Sequence, residues 1–237
     1  MAIPPGKALG GNQLALDLGT RPALGRADFI VGSGNADAVA WLDRWPDWPG
    51  RILALAGPPG CGKTHLAHVW QARSGARLVQ ADSLWAEDLA VLTAEGAAVV
   101  IDDADRCTVP EALFHLINRV REASGSLLLT GVEAPARWPV TLPDLASRLK
   151  ALPVAMLGPP DDALLETLMV KLFADRQIRV GAGVIGFLAS RVERSAAAIG
   201  DVVEALDAVS LTEGRAISLA LARKTLDLIA AGRAGQS

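Results

Sequence analysis

The sequence predicts an α/β fold, a parallel sheet flanked by helices, followed by a small all-helical domain. Short apolar runs alternate with helical stretches up to about residue 157, and each run is apolar throughout, as in a strand buried on both faces. A segment rich in glycine and proline stands between the first strong strand and the helix after it. After "GPPDDA" at 158–163 the strand-like runs cease and only helical periodicity remains.

The elements follow in order. Residues 1–23 read as a tail rich in Gly and Pro, interrupted by "QLALDL" at 13–18. In "GNADAVAWLDRWPDWPG", Asn35 is the expected N-cap of a helix carrying Ala38, Trp41, Leu42 and Trp45, which Pro46 and Pro49 stop. "RILALAG" predicts a buried strand, "KTHLAHVWQARSG" a helix, "ARLVQ" a weak strand and "DSLWAEDLAVLTAEG" an amphipathic helix. "AAVVID" is the second strongly apolar strand; "PEALFHLINRVREASG" is a helix opened by Pro110 and closed near Gly125. "SLLLTG" and "VAMLG" complete the sheet. Ile199, Val202, Val203, Leu206 and Val209 form one later helical stripe; Leu219, Leu221, Leu226 and Ile229 lie in another helix. The expected boundaries are therefore a tail at 1–23, an α/β domain at 24–157 and a helical domain at 158–237, with "LGPPDD" as the hinge.

Composition narrows the function. The 237 residues are 51% hydrophobic, enough for a large core. With 23 basic against 26 acidic residues, the net charge of −3 argues against a protein whose main task is gripping bare nucleic acid. Two cysteines, Cys61 and Cys107, cannot build a disulfide framework and suit a reducing compartment. With no N-terminal apolar run and no stretch long enough for a membrane helix, a soluble, cytoplasmic protein is expected, with no membrane partner.

"GPPGCGKT" at 57–64 fits the spacing of a phosphate-binding loop, G-x-x-x-x-G-K-[ST], in the strand–loop–helix context that such a loop requires. Glycines let backbone N–H groups turn toward phosphate oxygens, and the helix N-terminus adds partial positive charge. Gly57, Pro58, Pro59, Gly60, Cys61, Gly62, Lys63, Thr64 and His65 form the expected nucleotide-binding set for ADP or ATP. Lys63 is assigned to the β and γ phosphates and the Thr64 hydroxyl to Mg²⁺. A glycine-rich turn with a chance Lys-Thr is the alternative. The magnesium also calls for a carboxylate at the end of a neighbouring strand. Asp102 is expected to fill that role through water, and Asp103 to orient or deprotonate an attacking water. Asp103 can also be read as an ordinary acidic residue at a strand end. Cys61 reads as a tolerated small residue, and Asp105 and Arg106 as solvated loop residues.

Together with "FIVGSGNADAVAWL", "VVIDDADR", "ALFHLINRVREASGSLLLTG" and "LPDLASRL", this loop resembles the DnaA/Hda branch of the AAA+ ATPases. The resemblance runs over most of the chain. It implies an AAA+ P-loop parallel sheet flanked by helices, followed by a small all-helical lid. It makes Arg148 an arginine finger that acts on the nucleotide of a neighbouring subunit, and Thr130 the residue touching γ-phosphate or water. Two positions depart from the family pattern. Val132 follows Gly131 where an acidic residue is common. Ala197 stands where a lid arginine, sensor 2, is usual, which leaves Arg194, one helical turn earlier, or another residue to replace it. Weak intrinsic turnover is expected. Beyond the lid only "AAGRAGQS" remains, so no C-terminal helix-turn-helix domain is expected. The branch members of this kind are implied to act with the sliding clamp and to promote hydrolysis of ATP bound to the DnaA initiator. DNA is then reached only indirectly, and a homo-oligomer is compatible with the pattern.

"QLALDL" is similar to the hexapeptide by which bacterial proteins bind the β sliding clamp. Gln13 supplies a hydrogen-bonding amide; Leu14, Leu16 and Leu18 project one way from an extended chain into apolar pockets. A short strand packed on its own domain is the alternative. His65 and His68 lack a third ligand for zinc, and the six tryptophans are expected mostly in the core or at a seam. The rival functions are a helicase loader of the DnaC type, which needs a basic single-strand channel that the composition does not advertise, and a small-molecule P-loop kinase, which leaves the helical lid, "LPDLASRL" and "QLALDL" unexplained.

Overall fold

The computed structural model describes residues 30–234. Its sheet is made of β1 (Ile52–Ala56), β2 (Arg77–Gln80), β3 (Ala98–Asp102), β4 (Ser126–Gly131) and β5 (Val154–Met156). Every pairing is parallel, in the order β2-β3-β4-β1-β5. All residues of β1 and β4 are buried, which is why both read as uninterrupted apolar runs. The edge strand β2 buries only Val79, hence its weak signal.

Alternate strand residues serve opposite faces. Ile52, Val99, Ile101, Leu127 and Leu129 meet Leu113, Leu116, Ile117 and Val120 of α4 (Pro110–Glu122) and Leu145 and Leu149 of α5 (Pro143–Lys150). Leu53, Leu55, Val100 and Leu128 meet Leu66 and Trp70 of α2 (Lys63–Ser74) and Leu42 of α1 (Ala36–Asp43). Trp48 packs on Trp70 with centroids 5.1 Å apart, and Trp45 meets it edge-on at 6.0 Å. Trp85 departs from the expected pattern: it is 69% exposed.

Two local expectations are corrected. Residues 82–96 are not one amphipathic helix but a 3-10 turn (Ala81–Ala86), an extended Glu87 and a short α3 (Leu89–Leu92). Asp88 stops the first and starts the second, its carboxylate accepting the Ala90 N–H at 2.8 Å; a local side-chain bond outcompetes helical periodicity. Asn35 precedes α1 but makes no capping bond to it. Its side chain is buried and turned upstream, accepting from Gly32 N at 2.9 Å and donating to Ile30 O at 3.1 Å.

The C-terminal helices, α6 (Asp162–Asp175), α7 (Ala182–Ala189), α8 (Ala196–Glu213) and α9 (Leu219–Ala234), enclose their own apolar cluster around Met169, Phe173, Leu188, Val203 and Leu206. On α9 the buried stripe is Leu221, Ala222 and Thr225, with Ile229 half-buried; Leu219 is 45% exposed. All four residues expected in this helix lie in it, and two residues at about 100° each carry Leu219 to the far side from Leu221. The connector before α6 is pinned at both ends. Gly158 N donates to Gly34 O at 2.8 Å, and the Ser33 hydroxyl donates to Asp161 Oδ2 at 2.6 Å. Asp161 also caps α6 by accepting from Leu164 N at 2.8 Å. No helix among the described residues is long and apolar enough to cross a membrane.

Candidate functional site

The loop between β1 and α2 adopts the conformation its glycines permit. Gly60 (φ +74°) and Gly62 (φ +102°) occupy the left-handed region that side chains disfavour. A Cβ on Gly57 would lie 2.3 Å from Leu157 O, so only glycine fits between the loop and the strand end beside it. Lys63, the first residue of α2, is 7% exposed, and its ammonium donates to Gly57 O at 2.8 Å and Pro58 O at 3.0 Å. A cation thus sits inside the loop beside a helix N-terminus, whose first N–H groups have no intrahelical partner. Cys61 packs beneath this loop at 8% exposure, and burial raises its thiol pKa despite the opposing charge of Lys63.

Asp102 ends β3, which is not the neighbour of β1: β4 lies between them. The gap is closed by hydroxyls. Thr64 Oγ1 donates to Asp102 Oδ2 at 3.1 Å, and Thr130 Oγ1, at the end of β4, donates to Asp102 Oδ1 at 2.5 Å. Asp103 N in turn donates to Thr130 Oγ1 at 2.9 Å. With Asp102 only 4% exposed, these donors are what a buried carboxylate requires. Thr130 is 0% exposed and uses its hydroxyl in both directions. Its position is therefore behind the aspartates, orienting them, rather than at the surface of the site. Asp103 adopts φ +52° and turns its half-exposed carboxylate to Arg106 Nη1 at 3.5 Å.

Asp105 is not the solvated loop residue its position suggests. It is half-buried and accepts the Val132 N–H at 2.8 Å. Gly131 allows this approach: a Cβ there would lie 3.3 Å from Asp105 Cγ and 2.9 Å from the Trp138 ring. Arg106 is solvated, but it also lines the cavity described next.

An open cavity of about 380 Å³ is lined by Lys63, Thr64, Asp103, Arg106, Ala196 and Ala197 among others. A second, more apolar cleft shares Gly60, Gly62, His65 and Ala196 with it and adds Ile30, Leu164 and Leu168. Pro59 lines the first and Cys61 the second, so much of the loop faces one or the other. A cation-lined cavity continuous with an apolar cleft can hold a polyphosphate and a flat, poorly charged group together. The Thr64 hydroxyl and the Asp102 carboxylate are hard oxygen donors of the kind that a magnesium ion takes, directly or through water.

The helical part reaches this cavity through Ala196 and Ala197 and meets the loop through Ser195, which the sequence did not single out. Ser195 caps α8, accepting from Ala198 N at 3.1 Å, and Ala196 N donates to Gly60 O at 3.3 Å. A Cβ on Gly60 would lie 2.3 Å from Ser195 Cβ. Ala197 brings no charge, and Arg194 is engaged by Asp162 Oδ1 at 2.7 Å. Arg148 lines neither cavity. It lies on α5, on the opposite face of the sheet from α2, with its guanidinium 5.1 Å from the centre of the Phe114 ring. Gln13, Leu14, Leu16 and Leu18 lie outside the described residues.

No protein-family model matches this sequence. Among solved structures, domain III of the Thermotoga maritima replication initiation protein DnaA is similar with a TM-score of 0.74 and 20% identity, covering 87% of this chain and 96% of that one. DnaA from Aquifex aeolicus bound to AMPPCP is similar at 0.63 and 19% identity, covering 81% and 67% respectively. A variant of Thermotoga maritima RuvB is similar at 0.66 and 17% identity, covering 84% and 70%. With its strand order, the loop at the end of β1 and its helical C-terminal part, the chain has the AAA+ α/β fold in its DnaA-like form.

Proposed function

We propose that this chain is a nucleotide-binding AAA+ regulator of chromosome replication, of the Hda type. It binds ADP or ATP with Mg²⁺, docks on the β sliding clamp through residues 13–18, and presents Arg148 to ATP held by DnaA, repressing re-initiation. The observation that carries the nucleotide reading is the convergence of Lys63, Thr64, Asp102 and Thr130 at one end of a DnaA-like sheet. The AMPPCP bound to the Aquifex aeolicus DnaA supports an adenine nucleotide as ligand. When bound, magnesium supplies charge neutralisation between phosphates. Thr64 would hold it directly and Asp102 through water, while the loop would seat the phosphates and Asp103 stands at the cavity.

Action in trans is supported by two positions. Ala197 offers no cation to the chain's own nucleotide, and Arg194 faces Asp162 and lines neither cavity. Arg148 lies away from its own cavity, where a planar, permanently charged guanidinium serves a neighbour's phosphate. A finger of this kind contributes factors of about 10³ to 10⁵ in rate, so one residue suffices for the switch.

Two arms test the proposal. A clamp pull-down compares the intact chain with Gln13→Ala plus Leu14→Ala, and only the intact chain is expected to bind. Hydrolysis of DnaA-bound ATP on clamp-loaded DNA is then followed with the intact chain and with Arg148→Ala. The variant should keep clamp binding and lose stimulation; full stimulation by it would refute the mechanism.

A further inference from the structure

We propose that Arg106 is a second phosphate-binding cation, paired with Asp103 when no triphosphate is bound and transferred to the terminal phosphate of a nucleoside triphosphate. The inference rests on the nucleotide-binding reading and specifies how that site separates triphosphate from diphosphate. Its basis is the placement of one exposed side chain on a rigid turn. Asp103, Ala104, Asp105 and Arg106 form a tight turn after β3, closed by Arg106 N donating to Asp103 O at 2.9 Å. The turn is fastened to the end of β4 twice, through Asp103 N on Thr130 Oγ1 at 2.9 Å and Val132 N on Asp105 Oδ2 at 2.8 Å. Ala104 is buried beneath it. The backbone of Arg106 is therefore held at the cavity, while its side chain is 71% exposed and able to change partners.

The present partner of that side chain is weak. Arg106 Nη1 and Asp103 Oδ2 are 3.5 Å apart, with both side chains substantially exposed, so water and salt screen the pair. A phosphate in the same cavity competes on better terms, because a guanidinium meets its oxygens with two parallel charge-assisted hydrogen bonds. Lys63 is anchored inside the loop by the carbonyls of Gly57 and Pro58, where it serves diphosphate and triphosphate alike, and Ala196 and Ala197 line the cavity without charge. Arg106 is thus the mobile cation left for the added charge of a third phosphate. The exchange has a second consequence. When Arg106 leaves, the Asp103 carboxylate loses its neutralising partner and is free to hold a water, so recognition of triphosphate and exposure of the acidic group are one event.

The test uses the full chain and calorimetric titration with Mg²⁺ and either AMPPCP or ADP. Arg106→Ala should weaken AMPPCP binding about tenfold and leave ADP within about twofold. Arg106→Lys should recover part of the loss. Asp103→Asn, which removes the competing carboxylate and tolerates a left-handed backbone, should tighten AMPPCP binding, and that gain should vanish in the double variant with Arg106→Ala. Equal weakening of both nucleotides, or no change in either, would overturn the proposal while leaving nucleotide binding in place. Failure of the unaltered chain to bind either nucleotide would overturn both.

Discussion

Thr130→Val removes one oxygen from the centre of the site while keeping the branched shape that suits β4. The Thr130 hydroxyl donates to Asp102 at 2.5 Å and accepts from Asp103 N at 2.9 Å, in a position of 0% exposure. Its loss removes a hydrogen bond to a charged group, worth about 1.5–3 kcal/mol, and leaves a backbone N–H unsatisfied at a cost of about 1–3 kcal/mol. Asp102 keeps its bond from Thr64 and the valine methyl adds apolar contact, so a net loss of about 2–4 kcal/mol is expected. For a chain of this size, at about 2–4 °C per kcal/mol, the unfolding midpoint should fall by about 5–15 °C. Thr130→Ser retains the hydroxyl, loses only a methyl, and should lose about 1 kcal/mol. Thermal and urea unfolding of the three proteins decide the matter. A valine variant within about 0.5 kcal/mol of the parent, or a serine variant as unstable as valine, would refute the bridging role given to the hydroxyl.

Gly60→Ala places a methyl 2.3 Å from Ser195 Cβ at a residue with φ +74°, whereas Gly62→Ala meets nothing within 4 Å and suffers backbone strain alone. The first should therefore loosen α8 from the loop and speed amide exchange at Ala196, and the second should not; equal exchange in both would count against lid docking through Gly60. Lys63→Ala removes the cation inside the loop and should abolish nucleotide binding in calorimetry, an expectation that parent-like affinity would defeat. The Ser33 hydroxyl, and then the Leu164 N–H, hold the Asp161 carboxyl below the usual carboxylate value of 3.8. A folded pKa below the unfolded one means that this stabilisation is complete above the ordinary value and fades as pH falls through the folded pKa. Unfolding measured from about pH 5 to about pH 2 should show a shallower acid decline in Asp161→Asn than in the parent, and identical slopes would remove Asp161 from the account.

Much of the framework was legible because its causes are local. β1, β3 and β4 are buried on both faces, so their apolar runs are unbroken, and the loop at 57–64 needs glycine wherever the backbone must turn inward. The failures have local causes too. Periodicity counts apolar positions and misses Asp88, whose single cap bond divides 82–96 in two. Asn35 has the right type for a cap, yet its side chain was claimed by Gly32 and Ile30. Arg106 read as a solvated loop charge and Ser195 was not singled out, and only their positions against the loop at 57–64 distinguish them.

The sequence by itself determined the strands, most of the helices, the glycine-rich loop at 57–64 and the place of the paired aspartates at a strand end, because each depends on residue types a few positions apart. The tertiary structure alone decided that β4 stands between β1 and β3, placing Thr130 against an aspartate 28 residues away and bringing Thr64 to one 38 residues away. It alone brought Ser195 onto Gly60, turned Arg194 to Asp162, and set Arg106 and Asp103 at the rim of the same cavity. The physical reason is that strand order and lid docking are set by burying whole faces against one another. A polar contact between residues so far apart in the chain exists only after those faces have met.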